Sequence, residues 1–228
     1  MKIFFVFFIF LLILLLLVKI YKYNKYNKYN KYNTIFNNNG IIYIENIFTS
    51  SVFEKIKSNC RLLNNKLKTD NLITGKRTGI HITHGYIKNI LDSYPLNNLI
   101  NNIIKNNNNI FNNVKLSDFP IEYRMYSKKS PGMKWHKDTL LYKIPQYECI
   151  LTIENTSDSK TIWIDIDNNE YKIKTKPNSL IIVVAEGPYH KVSPINIGYR
   201  TILKFIFSRG KPLKSIIEHD IKCRYNKC

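Results

Sequence analysis

The sequence predicts an α+β domain with an all-β core. That core is a double-sheet jelly roll (a double-stranded β-helix) with flanking helices, preceded by an N-terminal membrane anchor. Three observations predict it. After Phe111 the chain becomes a series of short runs rich in Ile, Val, Thr, Tyr and Phe, divided by turn residues. Helix-patterned segments precede these runs rather than alternate with them, which leaves no room for the helical crossovers of a parallel sheet. The chain also opens on an unbroken apolar stretch, Ile3–Val18. Its 228 residues suffice for one well-buried domain with appendages. The expected organisation is an anchor over 1–20, a Lys/Tyr/Asn tether over 21–39, a domain over 40–212 with its double-sheet core at about 112–208, and a basic tail over 213–228.

The elements follow in order. The apolar stretch would rise about 24 Å as a helix, a little short of the ~20 residues that span a bilayer, and snorkelling of Lys2 and Lys19 makes up the shortfall. No small-residue cleavage site follows it, which argues against a secretory signal. Lysines 19, 22, 25, 28 and 31 lie after the stretch and only Lys2 before it, so the positive-inside rule expects the domain in the cytoplasm, with the lumen of the endoplasmic reticulum as the alternative. Ile41–Ile44 reads as a strand, and Ser50 or Ser51 can cap a helix running toward Leu67. Residues 71 to 84 are polar with glycines in and beside them, and read as a loop carrying His81 and His84. A helix over Leu96–Ile104 is ended by the asparagine run at 106 to 109. The expected strands are 120–127, 147–155, 161–166, 170–175, 179–185, 189–193 and 200–207, with a hairpin turn at Asp165–Asn169.

Composition decides less. The net charge of +19 permits a nucleic-acid partner, but its densest piece is the Lys/Tyr/Asn repeat of residues 21 to 33, which anionic lipid headgroups explain equally well. Nucleic acid is therefore possible and not favoured. Of the cysteines, Cys149 reads as a small buried hydrophobe, while Cys223 and Cys228 could pair or bind a metal.

The chemistry sits in four residues. His136 and Asp138 lie two apart, so on an extended strand end both side chains reach one point. His190 arrives from a later strand. Two imidazoles and one carboxylate can hold a divalent iron on one face and leave other positions open, the arrangement of non-haem iron oxygenases. Arg200 adds a planar, permanently charged fork suited to the carboxylate of an acidic co-substrate. Trp135 and Trp163 could shape the mouth of the site or belong to the core. Of Tyr123 and Arg124, adjacent on one strand, one must face away from the pocket.

With these residues in hand, 121 to 207 resemble the iron(II)/2-oxoglutarate-dependent dioxygenases, in particular the prolyl and lysyl hydroxylase-like branch. Tyr126, Gly132, His136 and Asp138 match the first part of that family's pattern. His190, Pro194-Ile195 and Gly198-Tyr199-Arg200 match the second. Thr161 and Trp163 fall where the family has its Gly-Gly-x-Thr-x-Phe segment, with Asp158 and Ser159 in place of the glycines. The resemblance implies iron(II) on His136, Asp138 and His190, with 2-oxoglutarate and O2 as co-substrates and ascorbate as a reductant. Arg200 would bind the far carboxylate of 2-oxoglutarate, helped by the Tyr126 hydroxyl or by Thr152. The reaction implied is hydroxylation with release of succinate and CO2, on a peptidyl prolyl or lysyl side chain of a peptide or protein substrate. Oxidative demethylation of nucleic acid, hydroxylation of a small molecule or lipid beside the membrane, and a non-catalytic binding protein are the alternatives.

Overall fold

A computed structural model describes residues 2–70, 77–105 and 114–225, with the side chains of residues 2–6, 8, 25, 26, 214–216 and 220 left aside. The elements run α1 (Lys2–Asn39), β1 (Ile41–Glu45), α2 (Ser50–Arg61), a 3-10 turn (Asn64–Lys66), β2 (Lys68–Thr69), β3 (Arg77–Ile82), α3 (Tyr86–Leu91) and α4 (Tyr94–Ile104). Then come β4 (Lys115–Leu116), β5 (Ile121–Tyr126), β6 (Met133–His136), β7 (Tyr147–Asn155), β8 (Thr161–Ile164), β9 (Glu170–Ile173), β10 (Ser179–Val184), β11 (His190–Val192), β12 (Arg200–Ser208) and α5 (Lys214–Cys223). Among the described residues the strands form an eight-stranded sheet, ordered β1-β10-β7-β12-β5-β3-β2 with β4 also on β12, and a four-stranded sheet, β6-β11-β8-β9. All the pairings are antiparallel. The two-sheet architecture with flanking helices is the one the strand spacing predicts.

Side-chain alternation divides the large sheet into two faces. Cys149, Leu151 and Ile153 of β7, Leu203, Phe205 and Phe207 of β12, and Leu180 and Ile182 of β10 point into the main core. The helices complete that core. α2 contributes Phe53, Ile56 and Cys60 at helical spacing, and α4 contributes Leu96, Ile100, Ile103 and Ile104. Burying each such side chain contributes about 1.5–3 kcal/mol, which holds the helices on this face. The opposite face carries Glu148 and Ile150 of β7, Ile181 and Val183 of β10, and Arg200, Ile202 and Lys204 of β12, and these line a cavity that also reaches His136, Asp138 and His190.

The structure adds to or departs from the expectations at four places. Over residues 21–39, expected as a low-complexity tether, α1 continues to Asn39, with Phe36 buried in the core and Asn33 Nδ2 donating to the Ile103 carbonyl at 2.8 Å. Packing of Tyr32, Ile35 and Phe36 onto the core supports helix where composition suggested none. Gly40, at φ +66°, then ends the helix, its N–H bonding the Phe36 carbonyl at 2.7 Å. Among the described residues no helix is long and apolar enough to cross a membrane, so the anchor over 1–20, and the membrane as a partner, are not supported.

The later part of the expected 71–84 loop is strand β3, paired with β5 from Arg77↔Tyr126 to Ile82↔Ile121. Gly79 sits inside that strand because a Cβ there would lie 2.5 Å from the Tyr225 hydroxyl. The basic tail carries a helix, α5 (Lys214–Cys223). After α5, Arg224 and Tyr225 reach the large sheet, where Tyr225 donates to Glu122 at 2.8 Å. The asparagine run at 106 to 109 and Cys228 lie outside the described residues.

Candidate metal and carboxylate site

His136 ends β6 and His190 begins β11, and the two are directly opposed in the antiparallel pair. Opposed residues point to the same face of a sheet, so the imidazoles converge, with ring centroids 4.3 Å apart. Asp138 follows on the segment leaving β6. Its carboxylate lies 3.8 Å from His136 Nε2 and 3.5 Å from His190 Nε2. The three offer one ligand atom each within 4.8 Å of one another, a group able to hold a metal ion.

The other ring nitrogens show which way the imidazoles are set. His136 Nδ1 lies 2.8 Å from the Lys134 carbonyl, and His190 Nδ1 lies 3.1 Å from the Pro188 carbonyl. A carbonyl only accepts, so each Nδ1 carries the proton and each Nε2 turns its lone pair toward Asp138. Burial holds the His190 pKa below its ordinary value, against Asp138 and the Pro188 carbonyl, with His136 and Lys204 adding to the lowering. That favours the neutral ring, the form that ligates a metal.

Backbone geometry positions the group. Gly132 takes φ +72°, and a Cβ there would lie 2.2 Å from the Val192 carbonyl oxygen. Only glycine lets β6 approach β11 this closely. Beyond Asp138, Gln146 fixes the chain by donating to the Thr139 carbonyl at 2.9 Å and accepting from Leu141 N at 3.1 Å. The Asp138 carbonyl accepts from Glu186 N at 2.9 Å.

Arg200 begins β12, opposite Tyr126 of β5. Its guanidinium is buried, and among the described residues its one hydrogen bond is long, 3.4 Å to Thr161 Oγ1, while Nε has no partner. Burial pulls its pKa down, with Tyr126 and Tyr43 opposing. A buried cation without a carboxylate is costly, and an acidic co-substrate would relieve that cost. Tyr126 lines the cavity beside it. Burial alone would push the Tyr126 phenol up, but Arg124, Arg77 and Arg200 outweigh it and hold it down at about 8. The donor set therefore fits an iron(II) ion at the triad and a dicarboxylate reaching Arg200.

The remaining candidates separate cleanly. Thr152 is buried on the cavity side of β7 with its hydroxyl unpartnered among the described residues, yet it is not part of the cavity wall. Trp163 opposes His190 across β11 and β8, on the metal-facing side. Trp135, adjacent to His136 on β6, turns the other way, and Lys191 lies 4.3 Å over its ring. Tyr123 is core and Arg124 faces the cavity. His81 lies in β3 and His84 beyond it. Asp158 and Ser159, in place of the expected glycines, tie their turn by side-chain bonds: Asp158 accepts from Asn196 N and Nδ2, both at 2.9 Å, and Ser159 Oγ donates to the Ser193 carbonyl at 3.0 Å. Sequence reasoning missed Gln146, Glu148 and Lys204. For Lys204 the signal was present, because alternation from Arg200 puts residues 202 and 204 on the same face.

No family model matches the sequence, and no curated protein does. Solved structures do. A prolyl-4-hydroxylase of Pseudomonas putida is 15% identical over 79% of this chain and 98% of its own, with a TM-score of 0.64. A Trichoplax adhaerens prolyl hydroxylase, in complex with a peptide fragment of the hypoxia inducible factor oxygen degradation domain, is 15% identical over 83% and 93%, with a TM-score of 0.66. An oxidoreductase of the 2OG-Fe(II) oxygenase family from Burkholderia pseudomallei is 12% identical over 81% and 91%, with a TM-score of 0.62. Two antiparallel sheets, a His-Asp-His group between them and these likenesses give one result: the chain has the jelly-roll fold of the iron(II)/2-oxoglutarate oxygenases.

Proposed function

We propose that this chain is an iron(II)- and 2-oxoglutarate-dependent dioxygenase that hydroxylates a peptidyl prolyl or lysyl side chain. One observation carries the reading: the convergent Nε2, Nε2 and carboxylate of His136, His190 and Asp138 share a cavity with the buried, carboxylate-free Arg200. The peptide substrate is supported by a structure of the same fold that holds a peptide fragment.

In this reading His136, Asp138 and His190 hold the iron on one face. Arg200 fixes the far carboxylate of 2-oxoglutarate, and the Tyr126 hydroxyl lies beside it. Iron, when bound, supplies the activation of O2 coupled to decarboxylation of 2-oxoglutarate. One oxygen atom enters succinate and the other enters the substrate, where a C–H bond becomes C–OH. The protein's share is orientation: carbonyl-anchored imidazoles, a glycine-permitted strand contact, and a guanidinium in the cavity wall.

The test is a binding titration under anaerobic conditions. Iron(II)-loaded protein is titrated with 2-oxoglutarate and followed by visible charge-transfer absorption. Arg200→Ala is expected to retain iron and weaken 2-oxoglutarate by about 2–5 kcal/mol, the cost of removing one partner of a buried charge-assisted pair. Unchanged affinity removes Arg200 from the role.

A further inference from the structure

The cavity wall holds an ion pair that the metal and co-substrate do not use. Lys204 of β12 and Glu148 of β7 both line the cavity, with Nζ and Oε2 2.5 Å apart and both side chains largely buried. Arg124, in the same wall, is held by Glu122 through Nε at 2.9 Å and Nη2 at 2.5 Å. Glu122 itself also accepts from Tyr225. The wall thus presents three cationic side chains, Arg124, Arg200 and Lys204, and two carboxylates, Asp138 and Glu148. Asp138 belongs to the metal group and Glu148 is taken by Lys204. Arg200 awaits a carboxylate. Among the described residues, no carboxylate in the wall is left to receive a positive charge.

We infer that Lys204, held in place by Glu148, is a specificity-determining residue that excludes cationic side chains, so that the substrate brings an uncharged group to the reacting position. The inference rests on the cavity being the catalytic site proposed above, and it narrows that reading. A lysyl ammonium entering the cavity meets the Lys204 ammonium, and desolvation leaves it without a counter-charge. A prolyl ring or another uncharged side chain meets neither obstacle.

The probe is a set of peptides identical except at one central position, which is lysine, norleucine or proline. Norleucine keeps the length of lysine and lacks its charge. Full-length protein loaded with nickel(II), which does not turn over, is titrated calorimetrically with 2-oxoglutarate and then with each peptide. The wild type is expected to bind the lysine peptide at least about tenfold more weakly than the norleucine peptide. Lys204→Met frees Glu148 to receive the ammonium, so the gap should close or reverse. Glu148→Gln, nearly isosteric and a safeguard should Lys204→Met fail to fold, should keep or widen the gap. Equal binding of lysine and norleucine by the wild type, or collapse of the gap in Glu148→Gln, overturns the inference while leaving the dioxygenase reading intact. Failure to bind 2-oxoglutarate in the first titration overturns both.

Discussion

At the scale of single residues, the site is a set of side chains whose spare atoms are already committed. Each histidine spends Nδ1 on a backbone carbonyl, which leaves Nε2 free to ligate a metal ion. Arg200 is the reverse case, with a buried Nε that finds no acceptor among the described residues. Tyr126 records the resulting positive field. In metal-free protein its phenol should ionise near 8, visible as tyrosinate absorbance that Tyr126→Phe abolishes. The 2-oxoglutarate carboxylate should raise that value by offsetting Arg200. An absorbance step near 8 that survives Tyr126→Phe would contradict the field described. The grouping of His136, Asp138 and His190 near Arg200 was legible in the sequence because their types are rare and their spacing specific. Lys204 and Glu148 were not singled out, because lysine and glutamate are common and only a cross-strand register shows that they meet.

At the scale of elements, the critical contact is β6 against β11. His136 reaches His190 because Gly132 lets the strands close upstream of them. Gly132→Ala strains a positive φ and drives a Cβ into the Val192 carbonyl. It should cost about 1–3 kcal/mol of stability and weaken iron binding as well. The check is thermal unfolding together with an iron titration, and a variant with unchanged iron affinity would show that this contact does not set the triad. Strands β7 to β12 were legible from β-branched runs between turns. β3 was not, because Gly79 inside it reads as a breaker until Tyr225 is seen packed against it. The same blindness hid the course of α1. Its Lys/Tyr/Asn repeat reads as a low-complexity tether, and only tertiary packing of its last turns onto the core shows its helical course.

At the scale of the whole molecule, the large sheet separates two environments, a helix-covered apolar core and a charged cavity. The charged face is held by a buried network in which Glu122 joins Arg124, Tyr225 and Arg224. Burial alone would raise the Glu122 pKa, but Arg124, Lys204 and Arg224 outweigh it and hold it well below the usual carboxylate range. A depressed carboxylate pKa contributes stability that is present above the unfolded value near ~4.3 and is lost as pH falls toward the folded one. Glu122→Gln, which leaves Arg124 without its partner, should therefore destabilise by about 3–5 kcal/mol at neutral pH. Its stability should also fall less steeply in acid. Urea unfolding of both proteins at pH 7 and pH 3 tests this, and equal losses on acidification would contradict it.

The central claim joins the triad to 2-oxoglutarate chemistry, and succinate formation tests it most directly. Metal-free protein is supplied with iron(II), ascorbate and 2-oxoglutarate, with proline- and lysine-containing peptides added in turn, and compared with His136→Ala. The account predicts succinate that requires iron, rises with a peptide and disappears in His136→Ala while the fold is retained. Equal succinate from wild type and His136→Ala, or none from a folded wild type under any of these conditions, would contradict it.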